Sequence, residues 1–183
     1  MPLGESFLGV LAGARSGSDW AWDAIYRDLA PSVLGYLRAA GAAEPDDLLG
    51  EVFLQVVRDL GRFEGGEAQF RAWVFTLAHH RFLDDRRRRA RRPVEPVASV
   101  GHGEPGGDVE EEALERLGDE AVRTALGHLS ADQRTVLLLR LLGDLTVEQV
   151  AQATGKRPGA VKALQRRALT AVRGQISRLW VTL

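Results

Sequence analysis

The chain has 183 residues, no cysteine, and 24 basic against 25 acidic side chains, for a formal net charge of −1. That length suits one ordinary domain or two small helical ones, and the missing thiols exclude a disulfide framework or a thiolate zinc site. The near-neutral balance argues against a uniformly basic nucleic-acid binder, but the charges are segregated: arginines crowd positions 81–92 and acids follow from 95 to 115, so one surface attracts phosphate and another repels it.

The N-terminal stretch MPLGESFLGVLAGARSGS has no basic leader, and its short apolar run is broken by glycine. It predicts a flexible arm over residues 1–18 in place of a signal peptide or membrane span. With no long apolar segment elsewhere, the expected protein is soluble, cytoplasmic and not inserted in a membrane. Trp22, Ile25, Tyr26, Leu29, Val33 and Leu37 then recur at helical spacing until Gly41, with Pro31 expected to bend or divide the helix. A second helix opens at Glu44-Pro45-Asp46-Asp47, where proline and acids suit the first turn. Its apolar stripe is Leu48, Leu49, Val52, Phe53, Val56 and Leu60. After the loop Phe63-Glu64-Gly65-Gly66-Glu67-Ala68 comes a helix that is apolar nearly all round, runs into the arginine block and stops at Pro93.

From Pro93 to about Asp108 the residues turn to Pro, Gly, Ser and Glu, which cannot build a core. The predicted organisation is therefore an arm (1–18), a first domain (19–93), a flexible acidic linker (94–112) and a second domain (113–183). The second domain restarts on Ala113, Leu114, Leu117, Ala121, Val122, Leu126 and Leu129. Ser130-Ala131-Asp132-Gln133 and Thr146-Val147-Glu148-Gln149 both read as helix starts, Gly155 as a turn and Pro158 as the opening of the last helix. The fold class is all-α: two small helical bundles, the C-terminal one containing a helix-turn-helix.

In that motif Ala151 permits a close helix crossing, Gly155 turns the chain and Val161 anchors the second helix. The opposite face offers Lys162 and Arg166, with Arg157 at the entrance and Gln165 and Arg167 on the flanks. Such a helix fits the major groove, where Arg and Gln read base edges and Lys holds phosphate. A plain three-helix bundle with a cationic solvent face is the alternative. The arginine block next to aromatics suits phosphates and unstacked bases, against the simpler reading of a solvated helix end. His79 and His80 are neighbours that point in different directions, with no third ligand at a suitable spacing, so no metal is expected. No phosphate loop, nucleophile elbow or acid–base pair is present, and neither an enzyme nor a cofactor is expected.

Asp46-Asp47-Leu48-Leu49-Gly50-Glu51-Val52-Phe53, FRAWVFTLAHHRFLDDRRRR and the C-terminal LSADQRTVLLLRLLGDLTVEQVAQATGKRPGAVKALQRRAL together resemble bacterial RNA polymerase sigma factors of the extracytoplasmic-function (ECF) group, over about Trp20 to Arg173. The resemblance implies that Asp47, Leu48, Glu51, Val52, Phe53 and Val56 bind the clamp helices of the polymerase largest subunit. It implies that Phe63, Glu64, Gly65, Gly66, Glu67 and Ala68, with Trp73, His80, Arg81, Arg86 and Arg87, engage the −10 element and a flipped base. Arg157, Pro158, Gly159, Lys162, Gln165, Arg166 and Arg167 would read the −35 element. The implied partners are core RNA polymerase, including the flap of its second-largest subunit, promoter DNA and an anti-sigma factor; the free chain would be a monomer. The family often has Gln at Gly50 and Asn at His80. Rival readings are a dimeric helix-turn-helix regulator acting without polymerase and an adaptor that docks through apolar helices.

Overall fold

The computed structural model describes residues 3–91 and 124–181, with side chains of the last helix described as far as Gln175. The acidic linker and the start of the second domain lie outside the described residues. Seven α-helices among them are labelled here: α1 Phe7–Arg15, α2 Asp19–Ala40, α3 Pro45–Asp59, α4 Glu67–Arg91, α5 Ala131–Leu141, α6 Val147–Thr154 and α7 Pro158–Val181. Short 3-10 turns occupy Gly4–Ser6 and Leu60–Arg62, and residues 124–127 are helical.

The predicted flexible arm is a docked helix. Phe7, Val10, Leu11 and Ala14 fall three and four residues apart, so they share one face, and all four are buried. The glycine that looks like a helix breaker in the sequence permits close packing instead. A Cβ at Gly13 would stand 2.8 Å from the Trp20 ring and 3.0 Å from Ala21 Cβ, so α1 can lie this close to the start of α2 only with glycine there. Gly17, at φ +81°, turns the chain between them.

Pro31 neither divides α2 nor interrupts it, and the helix is continuous from Asp19 to Ala40. Tertiary burial of Ile25, Leu29, Val33, Tyr36 and Leu37 on both sides of the proline outweighs the lost intrahelical bond. Gly41 ends α2 in the left-handed region (φ 92°), where Ala42 N donates to Leu37 O at 3.0 Å. The stripe Leu48, Leu49, Val52, Val56 and Leu60 buries α3 against α2 and α4. A half-buried Arg71 on α4 donates to Asp28 on α2 at 3.0 Å, fixing those helices in register. Gly50 meets nothing within 4 Å of a Cβ, so packing does not demand glycine. Gly50→Ala is expected to raise stability by about 1 kcal/mol, read as a small upward shift in thermal midpoint.

In the second bundle the two predicted helix starts are complete reciprocal caps. Gln133 N donates to Ser130 Oγ at 3.3 Å while Ser130 N donates to Gln133 Oε1 at 2.9 Å. Thr146 and Gln149 repeat the pair at 3.2 and 2.8 Å. Gly155 turns at φ +67° and Lys156 N closes α6 on Ala151 O at 3.0 Å. Val161 and Ala168 are fully buried, with Leu164 and Val172 partly so.

The two bundles also pack on each other. α2 lies against α5 and α4 against α6, and their apolar interiors form one continuous cluster. At the seam a Cβ on Gly143 would meet Leu145 at 2.6 Å, the Leu139 carbonyl at 2.8 Å and Phe75 at 3.1 Å. The turn after α5 thus approaches α4 closely because that residue lacks a side chain.

Candidate nucleic-acid interface

The face of α7 away from its core carries exposed Arg157, Pro158, Gly159, Lys162, Arg166 and Arg167, with Gln165 half-buried. Lys162, Gln165, Arg166, Leu169, Thr170 and Arg173 line a shallow groove of about 340 Å³. Leu169, Thr170 and Arg173 extend the surface one to two turns beyond the predicted set; the signal was their spacing from Arg166. Among the described residues no acidic side chain pairs with Lys162 or Arg166. This ridge is therefore positive, solvated and held rigidly by Val161 and Ala168 beneath it.

The arginine block differs. Asp85 is buried, and Arg88 and Arg89 both bind it, at 2.9 and 2.8 Å; Arg89 also reaches Glu44 at 2.8 Å. Burial opposes ionisation of Asp85, but hydrogen bonds and charge from Arg89 and Arg88 outweigh it and hold the carboxyl below its usual range. These arginines fasten α4 to the start of α3. Arg81 donates to Gln55 on α3 at 2.7 Å, and Arg87 pairs with Asp84 at 3.1 Å while remaining exposed. Arg86 is exposed and sits 5.9 Å from the Phe82 ring centroid.

The loop between α3 and α4 exposes Glu64, Gly65 and Gly66 and buries Phe63, while Glu67, half-buried, and Ala68, exposed, already form the first turn of α4. Phe63 stacks on Trp73 at 5.3 Å and 28°. Gly65, at φ +144°, tolerates no Cβ, which would lie 3.0 Å from Gln69 Cβ. Gln69 Oε1 accepts from Gly66 N at 3.1 Å and so caps α4. Sequence reasoning did not foresee where His80 lies: its Nε2 is 3.2 Å from Ala153 O on α6. His79, His80, Leu83, Asp84, Arg87 and residues 152–155 enclose a cleft of about 460 Å³ between the bundles.

His79 is buried beside that cleft, with Nδ1 2.8 Å from the Tyr36 hydroxyl. Burial, then the positive neighbours His80, Arg86 and Lys156, lower its pKa to about 4 against a partial opposing effect of Asp132; burial also raises the Tyr36 hydroxyl. His79 is neutral in the folded protein at pH 7. Between pH 6.5 and about 4 the unfolded chain binds a proton that the folded chain refuses. Stability is complete above that window and falls as pH drops through it, by at most about 3 kcal/mol. Thermal midpoints measured from pH 7 to 4 should therefore fall less steeply for His79→Gln than for the parent.

The resemblance placed Asp47, Leu48, Glu51, Val52, Phe53 and Val56 on a partner surface, and burial corrects part of that set. Leu48, Val52 and Val56 are core residues at 2, 0 and 0% exposure, and Phe53 is covered by Tyr26 at 4.8 Å. A side chain enclosed by α2 and α4 positions the helix and cannot reach a partner. The outer face of α3 instead carries Asp47, Glu51, Leu54, Val57 and Arg58, with Tyr26 of α2 alongside. Leu54 and Val57 are 57 and 52% exposed. Sequence reasoning missed both, although they stand off the apolar stripe and no internal contact needs them.

Among the described residues no helix is long and apolar enough to cross a membrane, and no cluster of three His, Asp or Glu could hold a metal ion.

Comparison with known proteins locates both bundles. Sigma-70 region 2 matches residues 25–92 and Sigma-70 region 4 matches residues 119–172. The ECF RNA polymerase sigma factor SigD of Mycobacterium tuberculosis is 30% identical over 182 residues, covering 94% of this chain and 85% of SigD. The ECF RNA polymerase sigma factor BldN of Streptomyces coelicolor is 31% identical over 159 residues, covering 85% of this chain but only 60% of BldN. Among solved structures, the sigma factor RpoE of Bartonella quintana, in complex with the anti-sigma factor NepR, superposes with a TM-score of 0.63 at 21% identity. That match covers 85% of this chain and 96% of RpoE, and it speaks to the fold.

Proposed function

The chain belongs to the ECF RNA polymerase sigma factors, and on that premise we propose that it directs promoter-specific transcription initiation without covalent chemistry of its own. The observation that carries the proposal is the rigid cationic ridge of α7, unpaired among the described residues, on a region 4 bundle that follows a region 2 bundle in the same chain. The α7 ridge reads the −35 element as duplex, with Arg166 and Gln165 at base edges and Lys162 at phosphate. The loop Phe63–Ala68, with Trp73 behind it, receives an unstacked base of the −10 element. Contacts with duplex and polymerase offset the few kcal/mol that extrusion costs.

Core polymerase, through the clamp helices of its largest subunit, sits on the exposed side of α3: Asp47, Glu51, Leu54 and Val57, with Tyr26. The flap of the second-largest subunit takes the region 4 bundle. An anti-sigma factor is the expected further partner, supported by the complex of the structural relative RpoE with the anti-sigma factor NepR. A stand-alone regulator leaves the exposed apolar face of α3 without a purpose.

The test is run-off transcription with purified core polymerase on a library of candidate promoters. Transcripts should start at discrete sites only when this protein is added. Nanomolar binding of promoter duplex by the purified chain alone, in physiological salt, would overturn the reading, because a near-neutral protein then would not need the polymerase.

A further inference from the structure

We propose that α1, acting through Arg15, is a brace that positions the Phe63–Ala68 loop and thereby sets −10 selectivity without touching DNA. The inference rests on the reading of that loop as the base-receiving element. It begins from the contacts at the two ends of α1. At its C-terminal end the Arg15 guanidinium donates to Leu60 O at 3.4 Å and to Phe63 O, straddling the 3-10 turn that launches the loop. Just ahead of α1, in the 3-10 turn Gly4–Ser6, Gly4 N donates to Glu67 Oε2 at 2.9 Å, on the first residue of α4. Between these points the Phe7 ring packs on Phe70 at 5.6 Å. The entry of the loop is tied to this short helix and its exit to the 3-10 turn that leads into it.

What remains untied is the tip. Glu64, Gly65 and Gly66 are exposed, and the bonds that restrain them are both at Gly66, whose N–H donates to the Gln69 side chain and whose carbonyl accepts from Phe70 N at 2.9 Å. Two glycines give that tip wide conformational freedom, so its resting position depends on where Phe63 and Glu67 are held. Phe63 in turn stacks on Trp73, the wall of the proposed base pocket. A shift of the Phe63 carbonyl therefore moves both the tip and the wall.

Arg15 is separable from the core function of its helix. Phe7, Val10, Leu11 and Ala14 anchor α1 by apolar burial, and none of that needs the guanidinium. A planar fork with several donors can bridge two carbonyls, which a single ammonium does poorly. The guanidinium donates to the Leu60 and Phe63 carbonyls, and through them Arg15 acts as a positioning residue.

The experiment uses the full chain with core polymerase and two readouts on Arg15→Ala, Arg15→Lys and a loop-tip control, Glu64→Ala. Amide hydrogen exchange at residues 61–66 should quicken about tenfold in Arg15→Ala, the size of one lost charge-assisted hydrogen bond. Exchange within α2, α3 and the middle of α4 should stay as in the parent. On paired templates differing at one −10 base, the ratio of transcripts should fall roughly fivefold, within the range that remote positioning residues reach. Affinity for core polymerase should not change, and Arg15→Lys should recover part of both effects.

Glu64→Ala altering the ratio while Arg15→Ala leaves it unchanged would overturn the brace and spare the loop reading. No effect of either variant on the ratio would overturn the loop reading and the brace with it. Faster exchange throughout α2–α4 in Arg15→Ala would show a general structural role and also overturn the proposal.

Discussion

Replacing Lys162 and Arg166 together by glutamate should lower transcription from a promoter that depends on this protein by about 100-fold or more. A base-edge contact from Arg contributes roughly 1–3 kcal/mol, and reversing a phosphate contact adds repulsion to the lost attraction. Both side chains are exposed, so the substitutions disturb no packing. Lys162 stands in the second turn of α7, near the helix N-terminus, where a negative charge is tolerated by the dipole. The bundle beneath should keep its thermal midpoint. Polymerase–promoter affinity should also become less sensitive to salt, with the slope of log K against log salt falling by about 1 for the lost Lys162 phosphate contact. Run-off yield and a salt titration with the variant holoenzyme check both parts. Unchanged yield at every promoter would remove α7 from DNA recognition.

The second large effect concerns the outer face of α3. Leu54→Glu with Val57→Glu should weaken core polymerase binding about 100-fold while leaving the fold intact. Apolar side chains exposed to this degree on adjacent turns form a patch that a partner can bury, and central interface residues commonly contribute 2 kcal/mol or more each. Glutamate is at least as good a helix former as the residues it replaces. Val52→Glu makes the contrasting control, because a carboxylate forced among α2 and α4 costs several kcal/mol and should unfold the domain. Competition for core polymerase, with melting curves for each variant, separates the two cases. Parent-like affinity for the double variant would place the polymerase elsewhere.

These two faces show how legibility depends on the range of the interactions. The caps at Ser130 and Thr146, the left-handed glycine at 155 and the anchor Val161 are set by residues within four positions, and each could be read directly from the chain. The cationic ridge of α7 follows from them, since the core stripe of that helix determines what faces outward. On α3 the same periodicity was available, but the family resemblance pointed to Leu48, Val52 and Val56, which the stripe had already assigned to the core. The N-terminal arm was misread because Gly9, Gly13 and Gly17 look like flexibility. Only the position of the Trp20 ring reveals Gly13 as a contact. The approach of Gly143 to Phe75 and of His80 to α6 joins residues some 70 positions apart, and no local pattern announces it. Pro31 is a tertiary override of the same kind.

The pairing of Arg88 and Arg89 with Asp85 and Glu44 has a consequence for how this protein grips DNA. A tally of guanidinium groups overstates the electrostatic pull of α4. Cations already neutralised inside the molecule shed no condensed ions when a duplex arrives. Among the described residues Arg81, Arg86 and Arg91 lack an acidic mate, Arg81 being tied to Gln55 instead, and Arg87 must leave Asp84 to serve. The ionic-strength penalty traceable to this helix should correspond to about two or three released counterions, so most of the salt sensitivity of the assembled initiation complex should arise from the far bundle.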